Sequence, residues 1–182
     1  MGDGKNDSEL THFDAEGRAR MVDVGGKPDT ERLARARGRI SMAPKTLKLL
    51  AQKALPKGDV LAVARVAGIM AAKETSWLIP MCHSLNLTHV AVDFTLDAKD
   101  SAVIIEAVAG LAGKTGVEME ALTAVSGAAL AVYDLSQAVD KGRGISALPV
   151  LETTGGRWGC RCLWGAGGEG RGFRLTFRVR LS

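Results

Sequence analysis

With 182 residues, 46% hydrophobic and 24% charged, the chain can bury one globular core and gives no reason to expect a second domain. Aromatic residues make up only 4% of it, so close packing of Ala, Val, Leu and Gly between helices and a sheet is expected. The net charge of +4 is uneven: six arginines from Arg157 onward against the single acid Glu169 give +5, leaving −1 for residues 1–156, which excludes a basic nucleic-acid footprint on the body.

Residues 1–9 are polar and rich in Gly and Asp, so disorder is expected there, with a domain over residues 10–156. The same stretch has no apolar core and carries acids, which fits neither a signal peptide nor a transit peptide. Leu33 to Met42 alternates strictly, with Ala34, Ala36, Gly38, Ile40 and Met42 on one face and Arg35, Arg37 and Arg39 on the other, the period of a strand. Ser41 is placed to cap a helix with Pro44 in its first turn, ended by Pro56-Lys57-Gly58. A second helix is expected over Asp59 to Lys73, its buried face carrying residues 60, 63, 64, 67 and 71.

Pro80 makes Trp77 to His83 an extended or turning segment. Val90 to Leu96 and Ala102 to Val108 read as a hairpin, Gly116 to Val139 as one long helix and Ile145 to Leu151 as a last strand. This order predicts an α+β, ferredoxin-like domain, an antiparallel sheet with helices on one face. From residue 157 a Gly/Arg-rich tail follows, ending in FRLTFRVRLS, which could be a strand or a flexible segment. The low-polarity stretch Ala121 to Val132 is too short to span a bilayer, and three cysteines make no secreted disulfide framework, so a cytoplasmic protein is expected, with no membrane and no nucleic acid among its partners.

Three familiar patterns are incomplete. Gly113-Lys114-Thr115 has Val108 where a phosphate loop needs its first glycine, and the glycines 165, 167 and 170 precede no helix. Cys160 and Cys162 have no second ligand pair at zinc-site spacing, and no metal site is expected. Glu118 and Glu120 fall in the first turn of the long helix, where the helix dipole accounts for both. Taken singly, His83 is an ordinary core histidine and Lys57 an ordinary turn residue.

Their combination is more informative. The segments Leu10-Thr-His-Phe, Met21-Val-Asp-Val, Lys57-Gly-Asp-Val, Ala67-Gly-Ile-Met-Ala-Ala-Lys73, Leu78-Ile-Pro-Met-Cys-His83, Lys114-Thr-Gly-Val-Glu-Met-Glu-Ala-Leu-Thr123 and Val132-Tyr-Asp134 resemble the cyclic pyranopterin monophosphate synthase family, in its order and spacing. The resemblance implies a lyase of molybdenum cofactor biosynthesis that converts 3',8-cyclo-7,8-dihydro-GTP to cyclic pyranopterin monophosphate with release of pyrophosphate. It implies Asp134 and Lys57 as catalytic residues, and Met81, Cys82, His83, Met119, Glu120, Glu118 and Arg32 as substrate-binding residues. No cofactor is required, Mg²⁺ entering only with the pyrophosphate, and the assembly is a homo-oligomer, a homohexamer with sites at subunit interfaces. Glu120 and Asp134, fourteen residues apart on one helix, are separated by roughly 21 Å. One small substrate cannot touch both within one chain, which agrees with such shared sites.

The chain departs from the pattern at two cations. Gln137 stands where a catalytic lysine follows the acid by three residues, on the same expected helix face, and Thr153 stands where a second lysine is usual near the last strand. Glutamine donates hydrogen bonds but carries no charge and no tunable proton. Lys141 lies one turn further on. The alternative to an active synthase is therefore an impaired homologue that binds nucleotide or co-assembles with active subunits.

Overall fold

The structure, a computed structural model, describes Arg18, residues 21–156 and residues 159–162. The expected disorder of residues 1–9 and the alternatives for FRLTFRVRLS lie outside the described residues. Strand β1 (Thr30–Ser41) is followed by helices α1 (Pro44–Ala51), α2 (Val60–Lys73) and the single turn α3 (Thr75–Leu78). The hairpin β2 (His89–Asp97) and β3 (Ala102–Gly113), helix α4 (Glu118–Leu135) and strands β4 (Gly144–Ser146), β5 (Val150–Thr154) and β6 (Arg161–Cys162) complete the chain. This is an α+β fold: the strands run in the order β2-β3-β1-β5-β6, every pairing antiparallel, with β4 also on β1.

Alternation in β1 has the consequence read from its sequence. Ala34, Ala36 and Ile40 are fully buried, and Gly38 lies against Val125 of α4, so this face meets the helices. The arginines project from the opposite face and each finds a carboxylate: Arg37 Nε lies 2.9 Å from Glu106 Oε1 and Arg35 approaches Glu152 at 3.9 Å, each at its register, while Arg39 reaches Asp97 and Asp100 at the β2–β3 turn. These partly exposed pairs set register more than they add stability.

Helix α4 lies across β1 and β3, and α2 packs on α4 and β2. The contact between the helices is made by small residues: Val60, Ala64, Gly68 and Ala72 form the buried stripe of α2. Val63, expected on that stripe, is instead 48% exposed. The helices meet closely through glycines on both: a Cβ at Gly127 of α4 would lie 2.5 Å from Ala71 Cβ, and one at Gly68 would lie 2.8 Å from the Ala124 carbonyl oxygen and 3.1 Å from Val92 Cγ2. Because the nearest obstacle is backbone, Gly68→Val is expected to lower unfolding free energy by about 1–3 kcal/mol, read by denaturant titration beside a Gly26→Ala control. No atom lies within 4 Å of the position of a Gly26 Cβ. An unchanged midpoint for Gly68→Val would show that the helices do not meet this closely.

Other boundaries also differ from the sequence reading. Ser41 is the last residue of β1, and Ala43 is the N-cap of α1 without a side-chain bond of its own. Asp140, from beyond α4, caps instead: its Oδ2 accepts from Ala43 N at 2.7 Å and from the Thr46 hydroxyl at 3.1 Å. The Ala43 amide, followed by the Gly142 amide and the Thr46 hydroxyl, holds the Asp140 carboxyl below its ordinary pKa. Helix α4 stops at Leu135, where Ser136 is the C-cap and turns its hydroxyl back to the Val132 carbonyl at 2.7 Å. The expected strand over residues 145–151 is two strands, and Arg161–Cys162, read as part of a tail, pair with Thr153 and Glu152.

Candidate active site

The N-terminal end of α4 builds the first part of the site. The segment after α3 cannot continue as helix through Pro80, and its turn brings Met81, Cys82 and His83 to a pocket shared with Glu120 and with residues 22–27. His83 Nε2 donates to the Val22 carbonyl at 2.9 Å, the geometry of a ring protonated at that nitrogen, and Lys114 Nζ donates to the Gly25 carbonyl at 2.7 Å. These bonds hold the stretch that precedes β1 across the pocket mouth. Lys27 also lines it, a cation three residues beyond Val24 that no sequence motif singles out.

Glu120 is 4% exposed; burial, reinforced by the neighbouring Glu118 charge, raises its pKa, with its own backbone amide opposing. Burial and then the Glu120 charge likewise push the Cys82 thiol up. The pocket thus raises both groups above their ordinary values, which moves the Glu120 carboxyl toward the working pH and the Cys82 thiol away from thiolate character.

The sign of this shift gives a stability prediction. A carboxyl whose folded pKa lies above its unfolded value contributes fully at low pH and loses that contribution as pH rises through the folded value. Glu120→Gln should therefore raise the melting temperature at pH 8, with the difference shrinking toward pH 4, below the ordinary value of 4.5. A lower melting temperature for the variant at pH 8 would contradict the burial argument.

Around the same end of α4, Glu118 Oε1 accepts from the Thr153 hydroxyl at 2.8 Å. Arg32 donates from Nε to the Gly113 carbonyl and from Nη2 to the Lys114 carbonyl, each at 3.4 Å. Its stem and head lie against Gly155 and Gly156, whose φ values of +102° and +68° and close contacts leave no room for side chains. Met119, 36% exposed, points away from the core on the same turn.

The second part of the site lies at the other end of α4. Lys57, in the turn before α2, places Nζ 3.0 Å from Asp134 Oδ2, with side chains 48% and 64% exposed. So open an ion pair adds little to stability, and its exposure leaves it accessible to substrate. Gln137 is off the helix, contrary to its expected place on the same helical face, because Ser136 ends α4 first. Its amide nevertheless donates to the Asp134 carbonyl at 3.1 Å and keeps it beside that acid.

One chain therefore brings together Met81, Cys82, His83 and Glu120 around one pocket, with Arg32, Glu118 and Met119 on the elements beside it, and brings together Lys57 and Asp134 separately. Among the described residues no group of three His, Cys, Asp or Glu could hold a metal ion. No helix among them is long and apolar enough to cross a membrane.

An α+β domain with acid, thiol and imidazole groups in a pocket at one end of a helix, and a lysine–carboxylate pair at the other, carries groups suited to proton transfer in a small-molecule enzyme. The particular assignment comes from comparison. The chain belongs to the MoaC family, whose profile matches residues 21–156. It is 60% identical over 152 residues to the cyclic pyranopterin monophosphate synthase of Roseiflexus sp. strain RS-1, covering 84% of this chain and 96% of that protein. The protein of the same name from Chloroflexus aurantiacus strain ATCC 29366 is also 60% identical, over 84% of this chain and 93% of its own length. That from Parvibaculum lavamentivorans is 54% identical, over 83% and 94%.

Proposed function

We propose that this chain is a cyclic pyranopterin monophosphate synthase, a lyase of molybdenum cofactor biosynthesis acting in the cytoplasm. The observation that carries the reading is the convergence of Met81, Cys82, His83 and Glu120 on one pocket in a chain 60% identical to proteins of that name. The substrate is 3',8-cyclo-7,8-dihydro-GTP, and the products are cyclic pyranopterin monophosphate and pyrophosphate.

In this proposal Arg32, Lys27 and Lys57 supply positive charge for the triphosphate, and Glu118 and Met119 line the substrate beside Glu120. Glu120, whose pKa burial raises, and the oriented His83 exchange protons with the purine-derived ring system, with Cys82 lining the substrate beside them, while Asp134, set by Lys57, acts as acid and base where the cyclic phosphate closes. No resident cofactor takes part, and Mg²⁺ enters only as the counter-ion of pyrophosphate.

The divided site also supports an assembly in which each substrate lies between subunits, as in a homohexamer. Val63, Val66 and Met70, 48%, 56% and 60% exposed, form an outward apolar stripe along α2 of the kind that a second copy covers. The test is incubation with the cyclised GTP derivative: equal amounts of cyclic pyranopterin monophosphate and pyrophosphate are expected. Tight substrate binding without pyrophosphate release would refute the synthase reading.

A further inference from the structure

Arg161–Cys162 form β6, the outermost strand of the sheet, and Cys160 precedes it directly after Gly159, whose φ is +63°. Both cysteines are exposed and free. Cys160 Sγ donates to Glu152 Oε1 of β5 at 3.5 Å, within the wider limit for sulfur. Glu152 is also the register partner of Cys162, so one residue of β5 stands opposite both cysteines. Residues i and i+2 of an extended segment point to the same side, with Cα atoms roughly 6.6 Å apart at 3.3 Å per residue. That is close to the upper limit of about 6.8 Å for a disulfide. The bond is therefore within reach, but only if the backbone at Arg161 contracts, and a ring closed under such strain is readily reduced again.

We propose that Cys160 and Cys162 are a reversible dithiol–disulfide pair whose closure releases β6 from β5. The co-reactant is a small-molecule disulfide such as oxidised glutathione. One protein thiolate attacks a sulfur of the co-reactant, forming a mixed disulfide and expelling one reduced thiol. The second protein thiolate then displaces the other, so two protein thiols are oxidised to one disulfide, one external disulfide is reduced to two thiols, and two protons pass to the departing thiolates. Desolvation and then the Glu152 carboxylate raise the Cys160 pKa, which slows attack by that thiol, and either thiol can open the exchange. Closure removes the Cys160 bond to Glu152 and bends the chain at Arg161, which stands opposite Thr153.

The experiment equilibrates the full chain in glutathione buffers from reducing to oxidising, quenches with an alkylating agent, and reads intact mass, thiol count and amide exchange. The three thiols of the reduced chain are expected to fall to one, with a mass loss of two hydrogens and a peptide joining positions 160 and 162. Cys82→Ser should fall from two thiols to none, whereas Cys160→Ser and Cys162→Ser should form no intramolecular bond. Exchange at the β5 amide that bonds β6 within Glu152–Thr153 should speed up several-fold in the oxidised chain. Three persistent thiols, separate glutathione adducts on the two cysteines, or pairing with Cys82 or a second chain would overturn the pair. Unchanged exchange in a chain that does carry the bond would overturn the release of β6.

Discussion

Gln137→Lys is expected to raise kcat/KM for the cyclised GTP derivative by about 10²- to 10⁴-fold, the contribution typical of one general acid or base. The structure places position 137 in the turn that follows α4, with its amide on the Asp134 carbonyl at 3.1 Å. A lysine there would extend beside the Lys57–Asp134 pair and add both a phosphate-directed charge and a transferable proton, neither of which an amide provides. Asp134→Ala in either background is the inactive control. A natural chain that already turns over at the rate of the lysine variant would remove position 137 from the chemistry and leave Lys57 or Lys141 as its cation.

Mixing two inactive variants should restore activity. If Glu120 and Asp134 of different subunits meet at one substrate, Glu120→Ala and Asp134→Ala homomers are each dead. After co-refolding at equal amounts, about a quarter of the shared sites combine an intact Asp134 from one subunit with an intact Glu120 from the other. Recovery on the order of a quarter of the parent activity is expected, with sedimentation showing an assembly of at least two chains. A mixture that assembles yet stays inactive would place the whole site within one chain and contradict the 21 Å spacing argument, which rests on the rise of roughly 1.5 Å per residue along α4.

Much of the scaffold was readable because its signals are local and repeated. The alternation over residues 34–40, the paired runs that became β2 and β3, and the start of α2 at Asp59, whose carboxylate accepts from Ala62 N at 3.1 Å, all follow from short-range rules. The ends of elements were less readable. Helix α1 is capped by Asp140, nearly a hundred residues away in sequence, where a neighbouring serine was expected. The long helix was read through to Val139 since nothing in Ser136-Gln-Ala-Val forbids helix, but the chain turns at Ser136. In α2 the apolar residues nearly surround the helix, so periodicity placed Val60 and Ala64 on the buried stripe but also put Val63 there; the close contacts of Gly68 and Ala71 with α4 decide the face.

The site divides in the same way. Lys57, Met81, Cys82, His83, Glu118, Met119, Glu120, Asp134 and Arg32 were nominated by the resemblance of the segments as a set, since none of these residues is distinctive by itself. Helical rise alone separated Glu120 from Asp134. What required the tertiary structure was every relation between distant segments: His83 on the Val22 carbonyl, Lys27 at the pocket, Thr153 on Glu118, and Gly155-Gly156 around Arg32. The elevated pKa of Glu120 belongs to this second group as well, since a glutamate in the first turn of a helix is ordinarily favoured as the anion by the dipole. Only its burial beneath the segments that meet at that end of α4 reverses the preference, and burial is a property of the packed chain rather than of the residues beside it in sequence.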